Sequence, residues 1–422
     1  MLDRSARTLA ALAVAAGVGC SEASEEARPP AAAPAPAAAA SLPDDLPHGL
    51  LLALSTFDKG ADGKPVPRSE LMVLTRRGGA WQARSYGDAE SNVFHKAFVW
   101  APPGREPGVV TLGGSAAAVK LWRKGTSGLA PVETLWQADF GGKWSRMRDG
   151  EIGDLDGDGS SDLAIATHDQ GVVAVLRVGS DGKPEVTELD RKPDTFVHEV
   201  ELGDLDGDGA LEIYATPSEP NRLDGTPQHG EVVRYRPREP GSRAVVADLG
   251  FRHAKEILAG DVDGDGRDEL YVSVEAAEGG AVEIRRYEGN TDPKAGSAIA
   301  SLYDPMARFL TAGDVDGDGK KELVVAGKDS GLWLLRPGVD PKSAWRAEQI
   351  DAQSKGFEHA ALLADLDGDG VDELYVASDD DKEVRRYAWD GQRLAREVIH
   401  RRSAPEPVLT WNLAPVPVSL VE

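Results

Sequence analysis

Asp204-Leu205-Asp206-Gly207-Asp208-Gly209 decides the fold of this chain, because it returns. The pattern Asp-x-Asp-Gly-Asp-Gly starts at Asp154, Asp204, Asp261, Asp314 and Asp365, at intervals of 50, 57, 53 and 51 residues. A near-constant period of that size marks stacked supersecondary units. Acids stand at positions 1, 3 and 5 of each copy, and Gly at 6 permits a sharp turn. That is the spacing with which carboxylates wrap one hard cation, as in calcium loops. The acids at 3 and 5 are Asp156 and Asp158, Asp206 and Asp208, Asp263 and Asp265, Asp316 and Asp318, and Asp367 and Asp369. A fourth carboxylate follows at position 9: Asp162, Glu212, Glu269, Glu322 and Glu373. Position 7 holds Ser160, Ala210, Arg267, Lys320 and Val371. Such indifference is expected if only the backbone carbonyl there meets the metal. About five structural Ca²⁺ ions are therefore expected.

A helix-loop-helix calcium site needs its bidentate acid at position 12. Here that position is Ile165, Ala215, Val272, Val325 or Val376, inside runs such as Asp268-Glu269-Leu270-Tyr271-Val272. β-branched and aromatic residues favour strands, so each loop joins two strands. Val197-His198-Glu199-Val200-Glu201-Leu202 enters the second loop, and Leu211-Glu212-Ile213-Tyr214-Ala215 leaves it. Glu231-Val232-Val233-Arg234-Tyr235 and Ala244-Val245-Val246-Ala247 complete the unit. Four strands in about 50 residues is the pattern of a propeller blade.

Two further units lack the acids. In one, Phe98-Val99-Trp100 enters, and Trp100, Pro102 and Gly104 are read at the places of the loop acids. In the other, Gly49-Leu50-Leu51-Leu52-Ala53-Leu54, Glu70-Leu71-Met72-Val73-Leu74 and Ala80-Trp81-Gln82-Ala83 give three strands. The missing strand is read at the far end, where Val408-Leu409-Thr410-Trp411-Asn412-Leu413-Ala414-Pro415 looks like Ala97-Phe98-Val99-Trp100-Ala101-Pro102. The expected fold is all-β: a seven-bladed propeller of four-stranded blades, closed by a C-terminal strand in blade one. Closure of that kind removes exposed sheet edges.

The chain has 422 residues, with 71 acidic and 47 basic side chains and a net charge of −24. Nucleic acid is a poor partner for such a surface. One cysteine, Cys20, excludes an internal disulfide. Residues 1–19 read as a signal peptide, with Arg4 and Arg7 ahead of an apolar run too short to span a membrane. Ala16-Gly17-Val18-Gly19-Cys20 resembles the lipobox of bacterial lipoproteins, which implies lipidation of Cys20 and a place in the cell envelope. Residues 20–47 are Ala- and Pro-rich and read as an extended tether. The propeller is expected over 48–416, with a short tail at 417–422.

The loops and their flanks resemble the FG-GAP, or VCBS, repeats of integrin α-subunit propellers and many bacterial surface proteins. The resemblance covers about residues 48–416. It implies a calcium-stiffened propeller and a binding role, without naming a ligand. The Phe-Gly and Gly-Ala-Pro signature of those repeats is not seen in this chain.

No His-Glu-x-x-His, Gly-x-Ser-x-Gly, phosphate-binding Gly loop or Cys cluster is present in the sequence. One column stands out, six residues before the first acid of each loop: Arg148, His198, Lys255, Arg308 and His359. It falls at the start of each innermost strand, away from the loops. It reads as a cationic collar at the channel mouth for an acidic ligand, whose binding would strengthen as the histidines gain protons. The plainer alternative is a ring of solvated residues balancing an acidic protein.

On the same face, residues 56–69 and 217–230 read as the longest loops, and 139–148, with Trp144, as a linker between blades. Trp122, Trp136, Trp333 and Trp389 read as core, and Asp379-Asp380-Asp381 as a solvated turn. The expected function is binding of a protein or polysaccharide, by a monomer attached to a membrane only through its lipid. The competing class is a carbohydrate-active enzyme such as a polysaccharide lyase, and a third reading is a purely structural envelope protein.

Overall fold

A computed structural model describes residues 42–422, except 142–144, 169, 220–228, 277–279 and 404–406. The leader, Cys20, most of the tether and Trp144 lie outside the described residues. The chain enters at β1 (His48–Lys59), β2 (Pro65–Arg77) and β3 (Ala80–Gly87). Blade two is β4 (Ser91–Trp100), β5 (Gly108–Ser115), β6 (Ala117–Gly125) and β7 (Gly128–Ala138). Blade three is β8 (Met147–Gly153), β9 (Asp162–Thr167), β10 (Val172–Val178) and β11 (Pro184–Arg191). Blade four is β12 (Phe196–Gly203), β13 (Glu212–Glu219), β14 (His229–Tyr235) and β15 (Ala244–Asp248). Blade five is β16 (Ala254–Gly260), β17 (Glu269–Val274), β18 (Val282–Tyr287) and β19 (Ser297–Leu302). Blade six is β20 (Ala307–Gly313), β21 (Glu322–Gly327), β22 (Leu332–Arg336) and β23 (Arg346–Asp351). Blade seven is β24 (Ala361–Ala364), β25 (Glu373–Ser378), β26 (Glu383–Trp389) and β27 (Leu394–Arg401). The last strand, β28 (Leu409–Pro417), pairs with β1, so blade one has the order β28-β1-β2-β3. Every pairing between these strands is antiparallel, and each innermost strand packs on the next around a closed ring. The protein is a seven-bladed β-propeller.

The second strand of each blade with an acidic loop is apolar on both faces because it is sandwiched between two neighbours. In β9, Leu163 and Ile165 pack toward blade two, while Ala164 and Ala166 pack toward blade four. β21 divides in the same way: Leu323 and Val325 face blade five, and Val324 and Ala326 face blade seven. The described residues form seven such apolar clusters, one per blade interface. Each fully buried Leu, Val or Ile contributes about 1.5–3 kcal/mol. Trp122 is buried, and Trp136, Trp333 and Trp389 pack against these clusters, as expected of core residues.

Ring closure rests on more than one ladder. β28 runs beside β1 from His48↔Pro417 to Ser55↔Leu409, with Trp411 Nε1 donating to Ser55 Oγ at 2.9 Å. Asp379 accepts from Arg402 Nη1 at 2.6 Å, and from Thr410 N and Oγ1 at 2.8 Å each. Asp379 opens the expected turn, but its carboxylate is buried and acts as a latch on the closing strand. The tail is docked as well: Val418 N donates to Pro47 O, and Glu422 accepts from Thr75 and Arg77. At the other end, Leu46 is buried between blades one and seven.

Residues 56–69 are not a long loop. β1 and β2 pair as far as Lys59↔Pro65, because Thr56, Phe57 and Val66 are strand formers and extend the hairpin. Blade four's hairpin also lengthens, β13 reaching Glu219 and β14 starting at His229, while 220–228 lie outside the described residues.

Candidate metal loops and channel mouth

Each acidic loop hangs between two strands and is pinned by its second residue. Leu155, Leu205, Val262, Val315 and Leu366 are all buried between blades. The backbone then curls over the first carboxylate. Gly157 N and Gly159 N donate to Asp154 at 2.6 and 3.0 Å, and Gly368 N and Gly370 N donate to Asp365 at 2.6 and 2.9 Å. The curl needs positive φ, which Gly207 (74°) and Gly209 (85°) adopt without strain. Adjacent loops are stitched together: Asp372 Oδ2 accepts from Asp314 N at 3.0 Å and crowds Gly313, where a Cβ would lie 2.4 Å from that oxygen.

The acids converge. Asp154, Asp156 and Asp158 bring ligand oxygens within 4.8 Å of one another, as do Asp204, Asp206 and Asp208; Asp261, Asp263 and Asp265; and Asp365, Asp367 and Asp369. In the fourth loop the set is Asp314, Asp316 and Glu322. Such clusters can hold a metal ion. Asp316 Oδ1 is buried without a hydrogen-bond partner, which fits an ion at that point. The position-7 residues Ser160, Ala210, Arg267 and Val371 each donate backbone N–H to the position-5 acid, as does Lys320.

Only in the fourth loop does the position-9 acid join the converging set. Asp162, Glu212, Glu269, Glu322 and Glu373 are all buried. Burial pushes the Asp162 carboxyl up to about 6, and those of Glu269 and Glu322 up to about 7. Arginines of the third strand, or one residue past its end in the case of Arg236, meet them: Arg177 at 3.3 Å, Arg234 at 3.1 Å, Arg236 at 3.2 Å, Arg286 at 2.9 Å, Arg336 and Arg386 both at 2.5 Å. Tyr271 and Tyr375 hydroxyls donate to Glu269 and Glu373 at 3.1 and 2.9 Å, and Tyr214 donates to Glu212. Sequence reasoning missed these arginines, although one recurs in the third strand of every blade with an acidic loop.

At the opposite ends of the innermost strands lies the collar. The ladder skips a residue between Met147 and Asp149, Ala254 and Glu256, and Ala307 and Phe309, and skips two between Val197 and Val200. The collar residues Arg148, His198, Lys255 and Arg308 fall at these bulges, which re-aim a side chain. Blades one and two bulge at the same place, at Trp411 and His95. Sequence comparison had aligned Trp411 with Trp100; the bulge aligns it with His95. Trp100 pairs with Gly108 where Gly153 pairs with Asp162, so Ala101 stands in place of the first loop acid and the turn is one residue shorter.

The mouth is buried, not solvated: Arg148, His198 and Arg308 are each less than a tenth exposed. Arg148 lies over the Trp411 ring at 5.3 Å, and among the described residues its guanidinium has no hydrogen bond or ion pair. His95 Nδ1 bonds Met147 O at 2.7 Å, its Nε2 is buried without a partner, and its ring meets Trp411 edge-on at 4.8 Å. His168 stacks on His95 at 5.6 Å and meets His198 at 6.4 Å. Lys255 lies 3.5 Å from Glu275, and Arg308 lies 3.9 Å from Glu358 and 4.8 Å over Phe357. Burial, then Lys255, Arg148 and Arg308, hold the His198 imidazole well below its ordinary value. The expected gain of protons near pH 6.5 therefore does not apply to it. His359 leaves the collar: φ of +42° turns it inward, where Gly327 O and Ser354 Oγ each bond it at 2.7 Å.

Below the collar the channel is acidic, a second feature missed from sequence. Lys96 of β4 bridges Asp149 at 2.8 Å and Glu151. Burial and neighbouring carboxylates push Glu199, Glu201 and Glu256 well above the usual range. These side chains stitch blades: Asp149 accepts from Val200 N and Glu256 from Leu310 N.

Seven four-stranded blades with an acidic turn in five of them define a repeat β-propeller. The FG-GAP-like repeat family matches residues 154–215, 261–325 and 314–376, so this seven-bladed β-propeller carries FG-GAP-like repeats. No curated protein matches it by sequence. Among solved structures, a Bacteroides fragilis protein provisionally assigned as a 6-phosphogluconolactonase matches with a TM-score of 0.51 and 13% identity, over 88% of this chain and 98% of that one. That likeness concerns the fold alone.

Proposed function

We propose that the protein is an extracytoplasmic binding module of the bacterial cell envelope. In this reading its loops hold about five Ca²⁺ ions that stiffen the ring, and a lipid on Cys20 attaches it to a membrane. The channel mouth takes an acidic ligand, a polysaccharide or a protein carrying carboxylates. One observation carries the ligand class: the bulge residues of six successive blades bring Trp411, His95, Arg148, His198, Lys255 and Arg308 to one end of the channel. Arg148, stacked on Trp411 and without a hydrogen bond or close ion pair among the described residues, offers a donor fork for a carboxylate beside an aromatic face.

The test is calorimetric titration of the calcium-loaded soluble domain with oligogalacturonate and with a neutral oligosaccharide of equal length. Wild type is expected to bind only the acidic probe, more weakly as salt rises. A folded Arg148→Ala, Lys255→Ala, Arg308→Ala variant is expected to lose that binding. Equal affinity of wild type and variant would remove the collar as the ligand seat.

A further inference from the structure

We infer that the third-strand arginine of each metal blade is a built-in counter-ion that competes with Ca²⁺ for the same carboxylates. The inference rests on the calcium reading of the loops. The arginines lie among the very acids an ion would use. Arg286 spans Asp263 at 2.7 Å and Glu269 at 2.9 Å, and its side chain is 1% exposed. Arg336 spans Asp316 at 2.8 Å and Glu322. Arg177 spans Asp156 at 3.1 Å and Asp162 at 3.3 Å, and Arg236 spans Asp206 and Glu212. Position 3, an outer acid, and position 9, the inner one, are thus joined by a guanidinium in four blades. In the fifth, Arg386 holds Glu373.

The charge reaches this point from two different backbone positions. Where position 11 is tyrosine, the arginine stands directly across the ladder from it: Tyr214↔Arg234, Tyr271↔Arg286 and Tyr375↔Arg386. There the tyrosine hydroxyl also bonds the position-9 acid. Where position 11 is Ala164 or Val324, no such hydroxyl exists. The arginine then lies one step past the Leu163↔Leu176 or Leu323↔Leu335 pair, nearer the loop, as Arg177 or Arg336. Blade four has both placements, in Arg234 and Arg236. A feature met by two routes in one chain is set by the carboxylates it meets, not by strand register.

Buried carboxylates without a counter-charge are costly, and the arginine relieves part of that cost before any ion arrives. A guanidinium and a divalent ion among the same oxygens repel each other. Their effects on the folded state are therefore antagonistic, and by linkage removing one must strengthen the other. The arginine should support the metal-free fold and lower calcium affinity.

The experiment compares wild type, Arg286→Met and Arg286→Lys by thermal melting in chelator and across a calcium series. Wild type is expected to melt lower in chelator. In R286M the drop is expected to be larger, and the calcium concentration for half-recovery to fall by roughly tenfold. R286K, which retains the charge, is expected to stay near wild type. Should R286M not fold without metal, Arg336→Met makes the same comparison at a side chain that is 19% exposed. Equal losses with and without calcium, or weaker calcium binding in the methionine variants, would overturn the inference and leave arginine as a positioning residue. A wild type indifferent to both calcium and chelator would instead defeat the calcium reading itself.

Discussion

Single side chains decide two properties of this molecule that its repeats do not. Asp379 holds the closing strand through Arg402 and Thr410, and its partner Arg402 is 3% exposed at the side chain. Removing one member of a buried pair leaves the other uncompensated, at a cost of about 3–5 kcal/mol. Asp379→Ala is therefore expected to lower the urea midpoint strongly without altering metal binding, as read by chemical denaturation with and without calcium. His95 and His198 are buried in neutral form, with burial first and neighbouring cations next in holding their ring nitrogens down. A depressed histidine binds its proton in the unfolded chain but not in the folded one. Its contribution is thus present at neutral pH and lost as pH falls through the ordinary value of 6.5. Glu199, Glu201 and Glu256, raised, act in the opposite sense. The difference between proteins isolates the histidine: His198→Asn is expected to lose less stability than wild type between pH 7.5 and 5.5. Parallel melting curves for the two would contradict this.

At the scale of elements, the acidic turns and the last strand do separate work. An ion at about 100 times its Kd adds roughly 2.7 kcal/mol per site if the unfolded chain binds none. Asp206→Ala in the second loop is expected to reduce the chelator-sensitive part of the melting temperature while four loops keep theirs. A chelator response unchanged by Asp206→Ala would count against that loop as a site. β28 supplies none of the loop acids, yet it covers the edge of β1 along the register His48–Ser55. Deleting residues 406–422 is expected to expose that edge and the apolar Leu50, Leu52 and Leu54 beside it, giving an aggregating product by light scattering. A truncated chain that stays monomeric with unchanged melting would show that closure does not depend on the strand.

For the whole molecule, the membrane attachment proposed above hangs on Cys20, which lies outside the described residues. Cys20→Ala is expected to move the protein from the membrane fraction to the soluble one, as read by fractionation and immunoblot. Equal fractionation of both forms would separate the propeller from any lipid anchor. With the tether intact, the mouth and the loops occupy opposite ends of the innermost strands. Ligand binding at one end and calcium binding at the other should therefore be separable by mutation.

The sequence by itself determined the ring. A carboxylate pattern repeated every 50 to 57 residues, apolar runs at strand period and a matching C-terminal strand leave little choice of topology, because each is a local or periodic property. The converging acids were legible for the same reason: a turn of nine residues brings its own ligands together. What tertiary structure alone decided involves neighbours distant in sequence. Arg286 meets Asp263 across a strand pair, Asp379 meets Thr410 around the closure, and Lys96 meets Asp149 between blades. The collar shows the boundary most plainly. Its column was visible in five blades, but only the bulges revealed that Trp411 and His95 belong to it, and only the backbone turn at His359 that this residue leaves it. A bulge is set by strand pairing, and pairing is a relation between segments that no one segment contains.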